Sequence, residues 1–257
     1  MLKEIIIAIQ AYGQAHQFIK KHSLWRWILI PGILYALLFM FSMYYFSHTA
    51  NAFFEWVNNH FIEGSLHTLK DSFLGFLITF ATVMVWIMIM LFYFSLFKYF
   101  FLIAGSPLFA YLSEKTGAII DGKDLPFSLS ELTTSIFRGI QIALRNSLWQ
   151  TVYTISILLL SLIPVIGWVA PMIAIFVECF YYGFSMMDYS MQRHNKSSAE
   201  SIIYISNHKG LAVGNGMIFY LMHLVPFIGW VLAPAYAIIA ATLSLNPKKN
   251  NSATVNL

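Results

Sequence analysis

The sequence predicts an all-α integral membrane protein with two long transmembrane helices, two re-entrant helical hairpins that penetrate only part of the bilayer, and an N-terminal amphipathic helix. Three observations carry this prediction. Of 257 residues, 59% are hydrophobic and 10% charged, whereas a soluble domain carries about a quarter charged residues; mean hydropathy is +0.69. The apolar residues fall in long runs, as segments solvated by lipid require. Finally, two clusters nearly repeat: "LIPVIGWVAP" from Leu162 and "LVPFIGWVLAP" from Leu224.

From the N-terminus, residues 3–22 mix apolar positions such as Ile5, Ile9, Tyr12 and Ile19 with Lys3, Glu4, Gln14 and Lys20. That spacing predicts an amphipathic helix lying in the membrane interface. Its apolar core is short and has no small-residue cleavage site before Lys20, so it does not read as a signal peptide. Ile28–Ser47 supplies about 20 apolar residues, enough to cross the hydrocarbon core. Pro31 sits in the first turn of that span, where its missing N–H costs little. The polar stretch His48–Ser72 reads as the outward loop. Phe73–Gly105, about 33 residues and roughly 50 Å if helical, contains a single charge, Lys98. The run outlasts the bilayer, with Lys98 expected to snorkel at the boundary and "GSPL" at Gly105–Leu108 expected to break the helix. A surface helical hairpin is expected over 111–147, turning at "DGKDLP". The two runs holding the repeated clusters follow, Leu148–Met187 and Leu211–Leu245, joined by a polar linker over 188–210. Residues 1–246 read as a single membrane domain and 247–257 as a disordered tail.

The charges orient this arrangement. Of the 15 basic residues, only Lys70 falls between the first and second spans. The positive-inside rule then places both termini and the 188–210 linker in the cytoplasm. Each repeat-bearing run must therefore enter, turn and return. The Pro-Gly-Trp-Pro cluster is the turn, which makes Pro164, Gly167, Pro171, Pro226, Gly229 and Pro234 the hairpin tips. Arms of about 10–16 residues rise roughly 15–24 Å as helix, short of a full crossing once tilted. The other reading is a pair of ordinary short spans turning at the outer interface, where Trp168 and Trp230 would be well solvated.

An apolar helix pair, then "SPLFAYLSEKTG", "IPVIG" and "DYSMQRH", then a second Pro-bearing run, resembles the CysZ-type sulfate permease family within the etoposide-induced protein superfamily. The resemblance covers about residues 10–245. It implies two transmembrane helices, two hemi-penetrating hairpins, an oligomer, and sulfate movement into the cytoplasm to feed cysteine synthesis. In the family an Arg pair implicated in sulfate binding precedes the proline of the first span; here that place reads Trp25-Arg26. Pro107 and Glu114 match family positions, while Phe109 replaces a polar residue. The acidic-Tyr-Pro signature appears as Asp188-Tyr189-Ser190-Met191, with His194 matching beyond it.

The candidate site residues follow from the needs of a hydrated dianion, which are fixed positive charge and several N–H donors. Arg26, at the start of the first span, is a first anion contact or a snorkelling anchor between Trp25 and Trp27. Arg193 and His194, with His208 and Lys209, line an exit, bind acidic headgroups or serve only as positive-inside charge. Glu178, the one charge in either repeat-bearing run, is protonated or paired with Arg145 or Arg138, and suits gating or proton coupling better than anion binding. His223, near the second tip, donates to an anion or bonds a carbonyl freed by Pro226. His60, Glu63 and His67 have helical spacing but Gly64-Ser65 interrupts them, so no metal site is assigned. The lone Cys179 excludes an intrachain disulfide. No enzyme motif, cofactor signature or nucleic-acid footprint is present. The sequence thus supports a plasma (inner) membrane permease or channel for a small anion, sulfate by resemblance, acting as a homo-oligomer in the lipid bilayer. The opposing class is a non-transporting membrane scaffold or lipid-organising protein.

Overall fold

The computed structural model describes residues 1–57, 73–123, 129–163, 166–193 and 196–246. Among these the regular elements are all helices: α1 (Leu2–Lys21), α2 (Trp25–Val57), α3 (Phe73–Asp121), α4 (Leu129–Ser161), α5 (Ile166–Arg193), α6 (Ser198–Asn207), α7 (Lys209–His223) and α8 (Ile228–Ser244). Three stretches are long and apolar enough to cross a membrane: Trp25–Ala52, Phe73–Asp121 and Gly167–Gln192. The third lies in a run read from sequence as one side of a re-entrant hairpin. Ile228–Ser244 is apolar but shorter.

The expected break at Gly105–Leu108 is corrected. α3 runs 49 residues straight through Pro107, about 73 Å of helix. Pro107 has no N–H to give to the Ile103 carbonyl, and the Ser106 hydroxyl donates to it instead at 2.9 Å. A neighbouring side chain thus supplies the bond that proline removes. α3 and α4 pack on each other, but each arm is continuous with its membrane run, and Leu112, Ser113, Thr116, Ile142 and Asn146 are buried instead of at a surface. Residues 124–128, which take in the second half of the expected turn, lie outside the described residues. α2 likewise continues to Val57, so the first ten residues assigned to the outward loop are helical; 58–72 lie outside the described residues, as do positions 60, 63 and 67 and the tail 247–257.

Both repeated clusters sit at helix–turn–helix junctions. The first separates α4 from α5 and the second separates α7 from α8. In the second, Ile228 N–H donates to Pro226 O at 2.7 Å, closing a tight γ-turn about Phe227, whose φ is 61°. Pro226 is in the turn, whereas Gly167 and Gly229 are each the second residue of the following helix. Pro171 and Pro234 lie inside α5 and α8, which corrects their reading as turn residues. Each stands in the second turn of its helix and breaks one backbone bond there, a loss the helix sustains without bending back. Pro164 falls outside the described residues.

α8 occupies the centre, touching α1, α2, α3, α5 and α7. Its Ala233, Ala235, Ala237, Ala240 and Ala241 are buried, and such small side chains let several helices approach one axis. α5 and α7 cross through a reciprocal small-residue seam. A Cβ on Gly183 would collide with the Ala212 carbonyl, and one on Gly216 with the Cys179 carbonyl. The pairs 179/183 and 212/216 are each four apart, so one helical face on each side carries the seam. α1 docks Ala8, Ala11, Tyr12, Ala15 and Ile19 onto α7 and α8. Tyr12 OH donates to Asn215 O at 2.8 Å. In the linker, Ser197 caps α6, and its N–H to Glu200 Oε2 at 2.8 Å holds the Glu200 carboxyl below its usual range.

Candidate functional site

Where α3, α4, α5 and α7 meet, the apolar interior holds a cluster of charges and hydroxyls. Lys98 on α3 and Glu178 on α5 are 5% and 7% exposed. Lys98 Nζ donates to Glu178 Oε2 at 2.8 Å and to Gln150 Oε1 at 2.7 Å. Tyr220 OH on α7 donates to the same Glu178 oxygen at 2.8 Å. Gln150 Nε2, on α4, donates to Glu178 Oε1 and to Ser95 Oγ at 2.7 Å. Its carbonyl oxygen also accepts from Tyr99 OH at 2.6 Å. Gln150 therefore makes four bonds, and the carboxylate receives three donors from three helices. Charge in a low-dielectric interior is tolerated only when paired and bonded in this way.

Two expectations about these residues are corrected. Lys98 does not snorkel, because it faces the bundle and a carboxylate awaits it there. Glu178 pairs with neither Arg138 nor Arg145. Arg138, about 18 Å back along α4 from Gln150, is held by Asp188 through Nη2–Oδ1 at 2.8 Å and Nε–Oδ2 at 3.2 Å. Arg145 Nη1 donates to Asn146 Oδ1 at 3.0 Å, and the guanidinium lies over the Phe184 ring. The Asp188-Tyr189-Ser190 stretch is thus a structural clasp. Tyr189 OH donates to Leu102 O at 3.1 Å, and Ser190 Oγ meets Thr242 Oγ1 at 2.8 Å.

The other sequence-predicted residues stand apart from this cluster. Arg26 is exposed on the second residue of α2. Beside it, Trp27 packs on Tyr111 with centroids 4.7 Å apart and under Lys115 Nζ at 4.3 Å, which ties the start of α2 to the far part of α3. Arg193 closes α5, but its side chain and all of His194 lie outside the described residues. His223 ends α7 with Nε2 3.1 Å from Tyr35 OH, boxed by Phe39, Phe219 and Trp230. Its Nδ1 is buried without a hydrogen-bond partner. The carbonyl of His223 accepts from Trp230 Nε1 at 3.1 Å, so the tryptophan, not the imidazole, satisfies the backbone here. Lys98, Gln150 and Tyr220 were not read as site residues from the sequence. The signals for the first two were the single lysine of a 33-residue apolar run and a glutamine inside "SLWQTVY"; Tyr220 had none.

Residues 11–234 match the family described as "Sulfate transporter CysZ/Etoposide-induced protein 2.4". A protein of Pseudomonas aeruginosa named "Sulfate transporter CysZ" is 27% identical over 242 residues, 91% of this chain and 92% of the relative. A protein of the same name from Pseudomonas paraeruginosa is 27% identical over 240 residues. One from Pseudomonas fluorescens is 29% identical over 143 residues, 55% of this chain and 57% of the relative. These names describe transport and not an enzymatic reaction.

Proposed function

Because the chain belongs to the sulfate transporter CysZ/etoposide-induced protein family, we propose that it is a multi-pass membrane permease that carries sulfate into the cytoplasm. The observation that carries this reading is the buried cluster of Lys98, Gln150, Tyr99 and Tyr220 around Glu178. A merely structural membrane bundle gains little from taking an ammonium and a carboxylate out of water. A pathway for a hydrated anion needs donors at that depth.

In this reading α2 and α3 cross the bilayer and the two helical hairpins enter from the cytoplasmic side. Contacts to the crossing helices support a partial depth. The second tip meets α2 at Phe39, whose ring centroid is 4.8 Å from that of Trp230. That is about 21 Å from the start of α2 and roughly 27 Å short of its end. The first tip meets α3 at Phe80, stacked on Trp168 at 5.4 Å, about 10 Å inside the outer end of α3. Both turns expose apolar side chains, among them Ile163, Trp168, Leu224 and Phe227. Such tips suit lipid or a second copy of the chain and not water. The distribution of basic residues supports cytoplasmic termini in an inner membrane, with 1–246 acting as one unit in a homo-oligomer.

Arg26 serves as the first anion contact, His223 guards the second tip, and Arg193 with His194 receives the ion on the cytoplasmic side. The experiment is flux of radiolabelled sulfate into proteoliposomes holding the purified protein. Saturable flux is expected, and Arg26→Ala is expected to weaken apparent affinity roughly tenfold, the worth of one charge-assisted contact. An unchanged affinity removes Arg26 from the pathway. No flux of sulfate in the wild type leaves the scaffold reading in its place.

A further inference from the structure

We propose that the Glu178 carboxylate is an internal plug: it occupies an oxyanion site built by Lys98, Gln150 and Tyr220, and the transported oxyanion takes its place. The inference rests on the transport reading above and adds where the ion is held and what keeps the path shut.

The bonds around Glu178 lead to this assignment. Its two oxygens accept from an ammonium, a phenol and a primary amide, and these three donors stand on α3, α7 and α4. They are the groups an oxyanion needs in place of its hydration shell. Ser95 and Tyr99 hold Gln150 in the orientation that presents its amide hydrogens to the carboxylate. Glu178 is the one acceptor-only group in the cluster. If it withdraws, the remaining groups form a cation-bearing cradle whose amide is already aimed.

Position adds to the chemistry. The donors come from a long helix and from both helical hairpins, so the cradle is the place where the two hairpins and α3 converge. The tight seam of Gly216 and Cys179 brings α7 against α5 one turn from Tyr220 and beside Glu178, fixing the backbones while the glutamate side chain keeps its rotatable bonds. Exchange must be associative. A buried ammonium without its partner is strongly disfavoured, so the anion arrives as the carboxylate leaves, and Lys98 is never uncompensated. As the anion departs, the Glu178 carboxylate returns to Lys98 in the same step, which blocks leakage when no substrate is present.

The test uses full-length protein in detergent, with sodium sulfate titrated against sodium chloride at constant ionic strength and the thermal unfolding midpoint read at each point. Glu178→Gln removes the plug charge and keeps the side-chain volume. Sulfate is expected to raise its midpoint with a half-saturation at least roughly tenfold lower than for the wild type. The Lys98→Met/Glu178→Gln double variant is expected to lose that shift. A sulfate shift no greater than the wild type's, or one that survives loss of Lys98, overturns the plug. Should Glu178→Gln not fold, Glu178→Asp keeps the charge but draws the carboxylate back by about one bond length; faster sulfate flux is then expected, and unchanged or slower flux overturns the proposal. The two readings fail separately. Flux in the wild type with no Lys98-dependent shift in Glu178→Gln sinks the plug alone. A Lys98-dependent shift with no flux in any variant sinks transport and leaves an oxyanion site that Glu178 fills.

Discussion

Replacing Lys98 alone strands a carboxylate that still has Tyr220 and Gln150 but has lost its counter-charge. Leaving one member of a buried ion pair costs about 3–5 kcal/mol, so Lys98→Met is expected to lower the unfolding midpoint in detergent sharply. Lys98→Met/Glu178→Gln removes both charges and is expected to recover most of the loss. A double variant destabilised by the sum of the Lys98→Met and Glu178→Gln effects would mean the pair is not coupled. Only half of this pair was legible in the sequence. Glu178 announces itself as the one charge in a repeat-bearing run. Lys98 does not, because a lysine toward the end of a long apolar run looks the same whether it snorkels to water or turns inward. Rotation of α3 about its axis decides between these, and that rotation is set by what packs on it. Tyr220, 42 residues from Glu178, has no local pattern to reveal it.

The seam between α5 and α7 makes a sharper demand on single positions than any polar contact does. Gly216→Val would drive a branched side chain into the Cys179 carbonyl, and the backbones would have to part. Overpacking of this kind typically costs about 1–3 kcal/mol, and separation of the helices also pulls Tyr220 from Glu178. The expected result is a lower unfolding midpoint together with loss of sulfate flux. Gly13→Ala on α1 is the control, since a Cβ there meets nothing within 4 Å and alanine favours the helix by up to about 1 kcal/mol. A Gly216→Val protein as stable as Gly13→Ala would refute the seam. Of the elements, the helix–turn–helix units were legible because Pro and Gly concentrate where an apolar run must reverse. In the second cluster the turn is narrower than the repeat, because Pro226 stands at the reversal while Pro234 lies inside α8. The continuity of α3 was not legible, since the rule that proline breaks a helix fails where Ser106 supplies the missing bond.

Taken as a whole, the proposed orientation pairs a cytoplasmic face rich in basic residues with turns that carry no charge. In the proposed arrangement three positions differ in access: Asn51 near the far end of α2, Lys123 after α3, and the tip residues Trp168 and Leu224. Cysteine placed at each, in a Cys179→Ala background, can be probed in sealed inside-in vesicles with a membrane-impermeant maleimide. Asn51→Cys is expected to react at once. Lys123→Cys is expected to react only after permeabilisation, because the positive-inside asymmetry puts it within. Trp168→Cys and Leu224→Cys are expected to resist labelling under both conditions, since a thiolate forms poorly in an apolar setting and the proposed arrangement keeps the tips, beside Phe80 and Phe39, inside the bilayer. Rapid labelling of the tips from outside would show each hairpin to be a full pair of spans, an outcome that the length of Gly167–Gln192 would accommodate. Protection of the tips that is lost on dilution in detergent would instead indicate cover by a second copy of the chain, and would place the apolar turns at an oligomer contact.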